Sequence, residues 1–510
     1  MVRIASEKDP EILRQTALLL AAENERLAKR LAAAIAELAT LKGHTSEQLQ
    51  FQIAELEAEL ARIRAKMFGS SNTEKRKRPD EDGTEPKKPK KGHGPKAQPA
   101  LPTIDVPHTL DPDERACTAC GGTLDPWPDQ YEDSFEVDVI PRCFVMKRHR
   151  RQKYRCACGG CVVTAPAPPK LCAGSRYSVD FAIEVGVCKY LDHEPLERQV
   201  RIMKREGLCV DSQTLWDQIE RLARLLEPAY DRLHDFILEQ PVVGADETRW
   251  RIMGDTAGND KGSKWWQIWL VQCPQAVWYT VEDNRGKTAG RVLLGGYKGT
   301  VMCDGYAVYK ALSAGGAAFV LAHCWAHFRR EILECEEAYP ELVGEGLKLI
   351  GDLYKIEATC KKATVPADAR REARKERSTP IVEAIQAWML KAWALAPPGT
   401  RLREALAYGG GIWSGLIRFL GDPDIPLDNN ASERAARGPV VGRKVHYGSR
   451  SLRGTEVAGI FYTLLESAKL AGVEPKAYLR AATLAALAGD VIPLPHEYAA
   501  TTRSPSADAA

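Results

Sequence analysis

Between residues 13 and 68 apolar positions return every three or four residues. Leu20, Asn24, Leu27, Leu31, Ala34, Leu38 and Leu41 form a first seam, and after Gly43 the register resumes with Leu49, Ile53, Leu56, Leu60, Ile63 and Met67. A stripe this narrow is buried only against another helix, so the pattern predicts an α-helical coiled coil over 13–68 and a homo-oligomer formed through it. Asn24 in the seam favours one register at some cost in stability. The periodicity then stops. Residues 69–100, with "EKRKRPDEDGTEPKKPKKGHGPK", carry Pro and Gly throughout and almost no apolar side chains. Such a segment cannot bury enough surface to fold and reads as a basic disordered linker.

Helical spacing returns over 173–240. "EPLERQVRIMKREGLCVDSQTLWDQIERLARLL" gives one helix, a turn at Gly207 and a second helix capped by Asp211 or Ser212. This is a helix-turn-helix-like region, a candidate for DNA binding. From residue 241 the period shortens. "PVVGADETRWRI", "KWWQIWLVQC" and "AVWYTVED" read as three strands. "YKGTVMCDGYAVYKAL" and "AAFVLAHCWAHFRREILECEEAYP" each read as a strand leading into a helix. That order predicts an RNase H-like α/β catalytic domain over 241–455. A helical insertion fills 340–405, rich in Ala, Glu, Lys and Arg, and a C-terminal helical segment follows over 456–500.

Composition changes this picture in few places. The chain has 510 residues, enough for several domains, and its formal net charge is only +3. No long apolar run suggests a membrane partner, and the polar N-terminus does not resemble a secretory signal. The 14 cysteines therefore read as reduced, in a cytoplasmic protein. Five of them stand in two knuckles within a small module over 101–172. Cys117 and Cys120 lie in "CTACGG", and Cys156, Cys158 and Cys161 in "YRCACGGC". Thiolates at C-x2-C spacing suit a structural Zn2+ in a zinc ribbon. Cys117, Cys120, Cys158 and Cys161 share that spacing, with Cys156 as the alternative ligand. Between the knuckles Arg148, Arg150, Arg151 and Lys153 belong to a cationic stripe free of acids, a candidate nucleic-acid contact.

Three acids stand where chemistry would want them. Asp246 and Asp304 fall at the ends of predicted strands, and Glu433 opens a late helix in "LDNNASERAARGPVVGRKVHYGSR". Asn430 is the expected helix cap, with Glu433 closing a capping box. Mg2+ takes oxygen ligands and keeps waters and substrate phosphates, and two such ions serve an in-line displacement at phosphorus. Arg434, Arg437, Arg443, Lys444, Arg450 and Arg453 follow the glutamate and would grip phosphates without reading sequence. Each acid alone is better explained by solvation or capping; their order and context argue for a shared site.

The chain resembles the insertion-sequence sixty-six family of bacterial DDE transposases. The likeness is carried by "KMFGSSNTEKR", "YRCACGGCVVTAPAPP", "EPLERQV", "GADETRW", "CDGYAVYKAL", "CWAHFRRE", "LDNNASERAAR" and "IFYTLLESAKLAGVEPKAYL" in one order. The resemblance implies a triad of Asp246, Asp304 and Glu433 using two Mg2+ ions, with Mn2+ as a substitute. Glu247 is a decoy beside the first acid. It places Cys324 and His327 near the active site, His327 as a structural residue rather than half of a metal pair. The implied substrates are double-stranded DNA at the element ends and in the target, with accessory proteins of the same element as further partners. A non-catalytic zinc-ribbon regulator and an RNase H-like structure-specific nuclease are the alternatives.

Overall fold

A computed structural model of the chain describes residues 103–502, apart from 112–113, 116, 129, 131, 135, 141, 156–160 and 254–263. The coiled coil expected over 13–68 and the linker over 69–100 lie outside the described residues. The rest divides into two units, one ending at Arg142 and a larger one beginning at Cys143. Within the smaller unit the first cysteine knuckle is a tight turn. The Gly121 N–H donates to the Cys117 carbonyl at 2.8 Å and the Cys117 N–H to the Gly122 carbonyl at 2.7 Å.

The larger unit opens with a ribbon of β1 (Lys153–Arg155) and antiparallel β2 (Val162–Thr164). Three helices follow, α1 (Val179–Tyr190), α2 (Leu196–Arg205) and α3 (Ser212–Leu238). The turn between α2 and α3 passes through Gly207 at φ 87°, a left-handed backbone that glycine adopts without a Cβ penalty. Asp211 is the cap of α3, accepting the Thr214 N–H at 2.6 Å. Along its whole length α3 buries Leu215, Leu222, Leu226, Leu233 and Ile237 in a core shared with the central sheet. The second helix of the expected helix-turn-helix is therefore also a pillar of the main body.

The sheet contains β3 (Val242–Ile252), β4 (Lys264–Gln272), β5 (Val277–Glu282), β6 (Thr300–Cys303) and β7 (Val320–His323). Its order is β5-β4-β3-β6-β7. The first three strands run antiparallel, while β6 and β7 run parallel to β3. Helices α4 (Lys287–Leu294), α5 (Ala307–Ala314) and α6 (Trp325–Leu333) alternate with the later strands. This mixed α/β arrangement is compatible with the RNase H-like class.

Between α6 and the segment bearing Glu433 the chain is helical. It contains α7 (Pro340–Lys362), α8 (Ala367–Ala373), a π-helical turn (Arg374–Ser378), α9 (Thr379–Leu395), α10 (Arg401–Gly411) and α11 (Trp413–Leu416). These helices have their own core, in which Ile350, Ile385 and Leu402 meet Trp325 and Phe328 of α6. Four helices close the chain: α12 (Asn430–His446), α13 (Leu452–Leu470), α14 (Pro475–Ala488) and α15 (Pro495–Thr502).

Helix α13 covers the open edge of β5, which would otherwise present unpaired backbone groups. Its Thr463 hydroxyl accepts the Tyr279 N–H at 3.0 Å. Its Ser467 hydroxyl accepts the Val277 N–H at 3.0 Å and donates to the Val277 carbonyl at 2.9 Å. One turn earlier, a Cβ on Gly459 would stand 2.8 Å from the Tyr279 carbonyl, so only glycine allows this approach. The C-terminal segment is thus built into the core around the central sheet.

Candidate active site

Register places the first two acids side by side. In the parallel pair of β3 and β6, Val242 pairs with Thr300 and Gly244 with Met302, an offset of 300 − 242 = 58 residues. The same offset leads from Asp246 to Asp304, the first residue beyond β6. Neighbouring strands lie about 4.8 Å apart, so the two acids stand side by side. Asp304 lies just past the tip of β6, but Asp246 lies within β3 rather than at the strand end expected from the sequence, because β3 runs on to Ile252 beyond its pairing with β6. Asp246 accepts the Glu247 N–H at 2.8 Å and Asp304 the Tyr306 N–H at 2.9 Å. Burial pushes the Asp246 carboxyl up to about 7, and the negative charges of Glu247, Asp304 and Glu433 act in the same direction. These acids feel one another's fields, and nothing positive offsets them at Asp246.

Glu247 is occupied elsewhere. Its carboxylate accepts the Arg285 guanidinium, at 3.0 Å from Nε, and the Tyr309 hydroxyl at 2.9 Å. Arg285 in turn lies over the Tyr306 ring, 4.0 Å from its centre. Alternation along β3 turns Glu247 to the opposite face from Asp246, which agrees with its role as the decoy.

Glu433 lies on the first turn of α12, and here the expected cap moves by one residue. The cap position is Asn429, not Asn430, and its side chain makes no capping bond to the helix. Asn430 is the first helical residue, and its amide donates to Asp428 at 2.7 Å. The buried Asn429 ties three elements together. Its side chain donates to the Ala245 carbonyl at 2.9 Å and accepts the Ser432 hydroxyl at 2.6 Å. Its backbone N–H donates to the Cys324 sulfur at 3.1 Å. Gly244 completes the fit: a Cβ there would collide with the Ser432 hydroxyl and stand 2.9 Å from the Gln272 amide. The helix bearing Glu433 is pinned to the strand bearing Asp246, one residue from that acid.

Glu433 Oε1 is buried without a hydrogen bond. His327 Nε2 stands 3.6 Å from it and Arg330 3.8 Å, beyond hydrogen-bonding reach but close enough for charge to matter. Cys324 and His327 thus have separate places, one against Asn429 and the other against Glu433. Burial pushes the Cys324 thiol up to about 11, consistent with an inert structural sulfur. Among the described residues no group of three or more His, Cys, Asp or Glu side chains closes into a metal cage. A shared site that leaves positions to water and phosphate does not require one. Hard oxygen donors, an orphaned buried Glu433 oxygen and a charge-starved Asp246 fit a divalent cation.

The cations behind Glu433 divide into two groups. Arg434, Arg437, Lys444 and Arg450 are exposed. Arg443 is half-buried and donates to the Thr248 hydroxyl at 3.3 Å and to the Arg249 carbonyl. Arg453 departs from the phosphate-gripping role expected of it. It pairs with Glu220 at 3.1 Å, Glu456 at 2.8 Å and Glu227 at 3.9 Å, so three carboxylates neutralise it and it cross-links α13 to α3. On and before β1, Arg148, Arg150, Arg151 and Lys153 are exposed, with Arg151 donating to the Ala165 carbonyl at 2.7 Å. In the first knuckle, hydrogen bonds from the Ala119 and Cys120 backbone lower the Cys117 thiol pKa. Cys161 is exposed in the larger unit, and Cys156 and Cys158 lie outside the described residues.

An open sheet with acids on neighbouring strands, a third acid on a helix pinned beside them and cations behind it has the build of a nucleic-acid-cutting enzyme. The chain belongs to the IS66 transposase family: the profile described as "Transposase IS66 family" matches residues 174–457, a span containing all three acids. It is similar to three proteins of Sinorhizobium fredii (strain NBRC 101917 / NGR234), each described as uncharacterized. With y4jD it shares 31% identity over 393 residues, 74% of this chain and 76% of that one. With y4hP the identity is 26%, covering 71% and 69%, and with y4qI it is 27%, covering 85% and 79%. Membership implies a transposase activity that acts on DNA and uses a divalent metal. No helix among the described residues is long and apolar enough to cross a membrane.

Proposed function

We propose that Asp246, Asp304 and Glu433 hold two Mg2+ ions, replaceable by Mn2+, in a site that cuts DNA at the element ends and joins the freed 3′-hydroxyl to target DNA. The observation that carries this reading is Asp246, a carboxyl raised to about 7 among other acids with no cation to offset it. When bound, the ions would activate the attacking oxygen and stabilise the leaving one. The chain's own part is positional. Adjacent strands β3 and β6 fix two carboxylates, and Asn429 with Gly244 fixes the helix that carries the third. Arg330, with His327 beside it, faces the Glu433 carboxylate. Arg434, Arg437, Lys444 and Arg450 hold phosphates and set the register of the strand without reading its sequence.

The same reading assigns the other parts. Cys117, Cys120, Cys158 and Cys161, with Cys156 as substitute, hold a structural Zn2+; the lowered Cys117 thiol supports a thiolate there. Arg148, Arg150, Arg151 and Lys153 and the α2–α3 pair supply DNA contacts. Residues 13–68 join copies of the chain, which works in the cytoplasm with accessory proteins of its element.

The test is incubation of the full chain with Mg2+ and DNA carrying the flanking terminal repeats. Cleavage, and transfer of a labelled 3′-hydroxyl strand into a second DNA, are the expected products. Asp246→Asn abolishes both while DNA binding persists. Cleavage without strand transfer would favour a structure-specific nuclease, and cleavage retained in Asp246→Asn would reject the triad.

A further inference from the structure

Strand β3 is much longer than its partner β6. It pairs with β6 over Val242–Gly244 and meets Ser449 at Ile252. Beside the stretch between these contacts lies a groove of about 600 Å³, whose wall begins at Glu247, the residue that β3 turns away from Asp246. Its lining combines Arg249, Arg251, Arg443 and Lys444 with the rings of Trp265 and Tyr447. Trp265 is 52% exposed and Tyr447 60% exposed, so both rings offer surface to solvent. Trp265 stands opposite Arg251 in the β3–β4 pair.

Two further observations point to a missing anionic, planar ligand. Arg251 Nε is buried with no hydrogen-bond partner, and Arg443 is crowded by burial and by the like charge of Arg249, which lower its pKa. Tyr447 takes φ 62°, a left-handed backbone that a tyrosine rarely adopts. It is held there because the next residues dock on β3. The Ser449 N–H donates to the Arg251 carbonyl at 3.0 Å and the Met253 N–H to the Ser449 carbonyl at 2.8 Å. This left-handed position is the C-cap of α12, so the docked turn fixes where the exposed Tyr447 ring stands on the groove.

Resting on the transposase reading above, we propose that this groove binds an unpaired nucleotide of the DNA substrate. Its base stacks on Trp265 and Tyr447, and its phosphates lie on Arg249, Arg251, Arg443 and Lys444. Cations that track a backbone beside aromatic platforms are how proteins hold single strands without base-specific contacts. A groove that served duplex backbone alone would need the cations but not the rings. Arg443 lies ten residues along α12 from Glu433, a rise of about 15 Å. That is about four nucleotide steps at 3.4 Å each, so the unpaired nucleotide lies within one short strand of the carboxylates.

The experiment compares two DNA probes of one sequence, a blunt duplex and a duplex with a short single-stranded overhang bearing 2-aminopurine. Binding by the full chain is followed by anisotropy without added Mg2+, so that no cleavage occurs. Trp265→Ala should weaken overhang binding about tenfold, the loss of one stacked base, and abolish the quenching of 2-aminopurine. Blunt-duplex binding should change less than about twofold, below the range of a stacked base, and Trp265→Phe should restore the overhang preference. Equal weakening on both probes, or none on either, overturns the groove while the DNA reading stands. Wild-type protein that binds neither probe overturns the DNA reading itself, and the groove with it.

Discussion

Asp246 holds its proton far more tightly in the folded chain than an ordinary carboxyl, at about 7 against 3.8. Unfolded, the same group ionises near the lower value. Below about pH 4 both states are protonated and the group costs nothing. The penalty grows as pH rises towards about 7 and is constant above, on the order of 2–4 kcal/mol at 1.36 kcal/mol per unit. Without divalent ions, therefore, Asp246→Asn should raise the melting temperature at pH 8, and the two proteins should melt together at pH 4. Adding Mg2+ at pH 8 should stabilise the wild type and leave the variant almost unmoved. A variant no more stable than wild type at pH 8 would mean the carboxyl is not charge-starved. Arg453 and Arg437 make the complementary comparison. Arg453 is matched by Glu220, Glu227 and Glu456, so Arg453→Ala should cost about 1 kcal/mol of stability and leave the salt dependence of DNA binding unchanged. Arg437→Ala should leave stability alone and reduce the slope of log affinity against log salt by about 1. In sequence the two arginines are indistinguishable, because Glu220 and Glu227 lie more than 200 residues away.

At the level of elements, the site depends on one helix pressed against one strand. Gly244→Ala would place a Cβ against the side chains of Ser432, Gln272 and Asn429, two of which are the contacts that pin α12 to β3. The expected cost is about 1–3 kcal/mol in denaturant unfolding, together with loss of cleavage as Glu433 moves away from Asp246. Asn429→Ala removes the partners of the Ala245 carbonyl and the Ser432 hydroxyl, at about 1–3 kcal/mol, and should lower cleavage while DNA binding persists. Unimpaired cleavage in both variants would separate Glu433 from the site. These elements also show what the sequence reveals and what it hides. The strands were legible because β3, β4 and β5 are apolar runs bounded by turns, and Asp304 because it directly follows β6; Asp246 is expected at a strand end, but β3 runs on to Ile252. The cap was misplaced by one residue because an Asn-Asn pair offers two equal candidates, and only the Ala245 carbonyl, 184 residues distant, decides between them. Gly244 gave no signal at all. A glycine in a strand marks a close approach of something, but what approaches is known only from the fold.

At the scale of the molecule, the carboxylates are held by a body with its own apolar core among the described residues. Its buried apolar side chains run from Val179 to Ala499 in two clusters, one around the central sheet and one inside the helical insertion. Trp325 and Phe328 of α6 belong to the second cluster, while Cys324 and His327 on the same short stretch serve the site. The insertion therefore buttresses the helix that backs Glu433, and this explains why a chain would carry so many residues between its second and third acids. The seam over 13–68, by contrast, can be buried only by another copy or another helix. These two facts separate assembly from site formation. A chain lacking residues 1–100 should fold, melt cooperatively and keep its Mg2+-induced stabilisation at pH 8, because every group that responds to the ion lies within the body. Its mass by light scattering should fall to that of a monomer, whereas the full chain should be larger. An intact oligomer after truncation would move self-association into the body, and loss of the Mg2+ response would tie the site to the N-terminal helices.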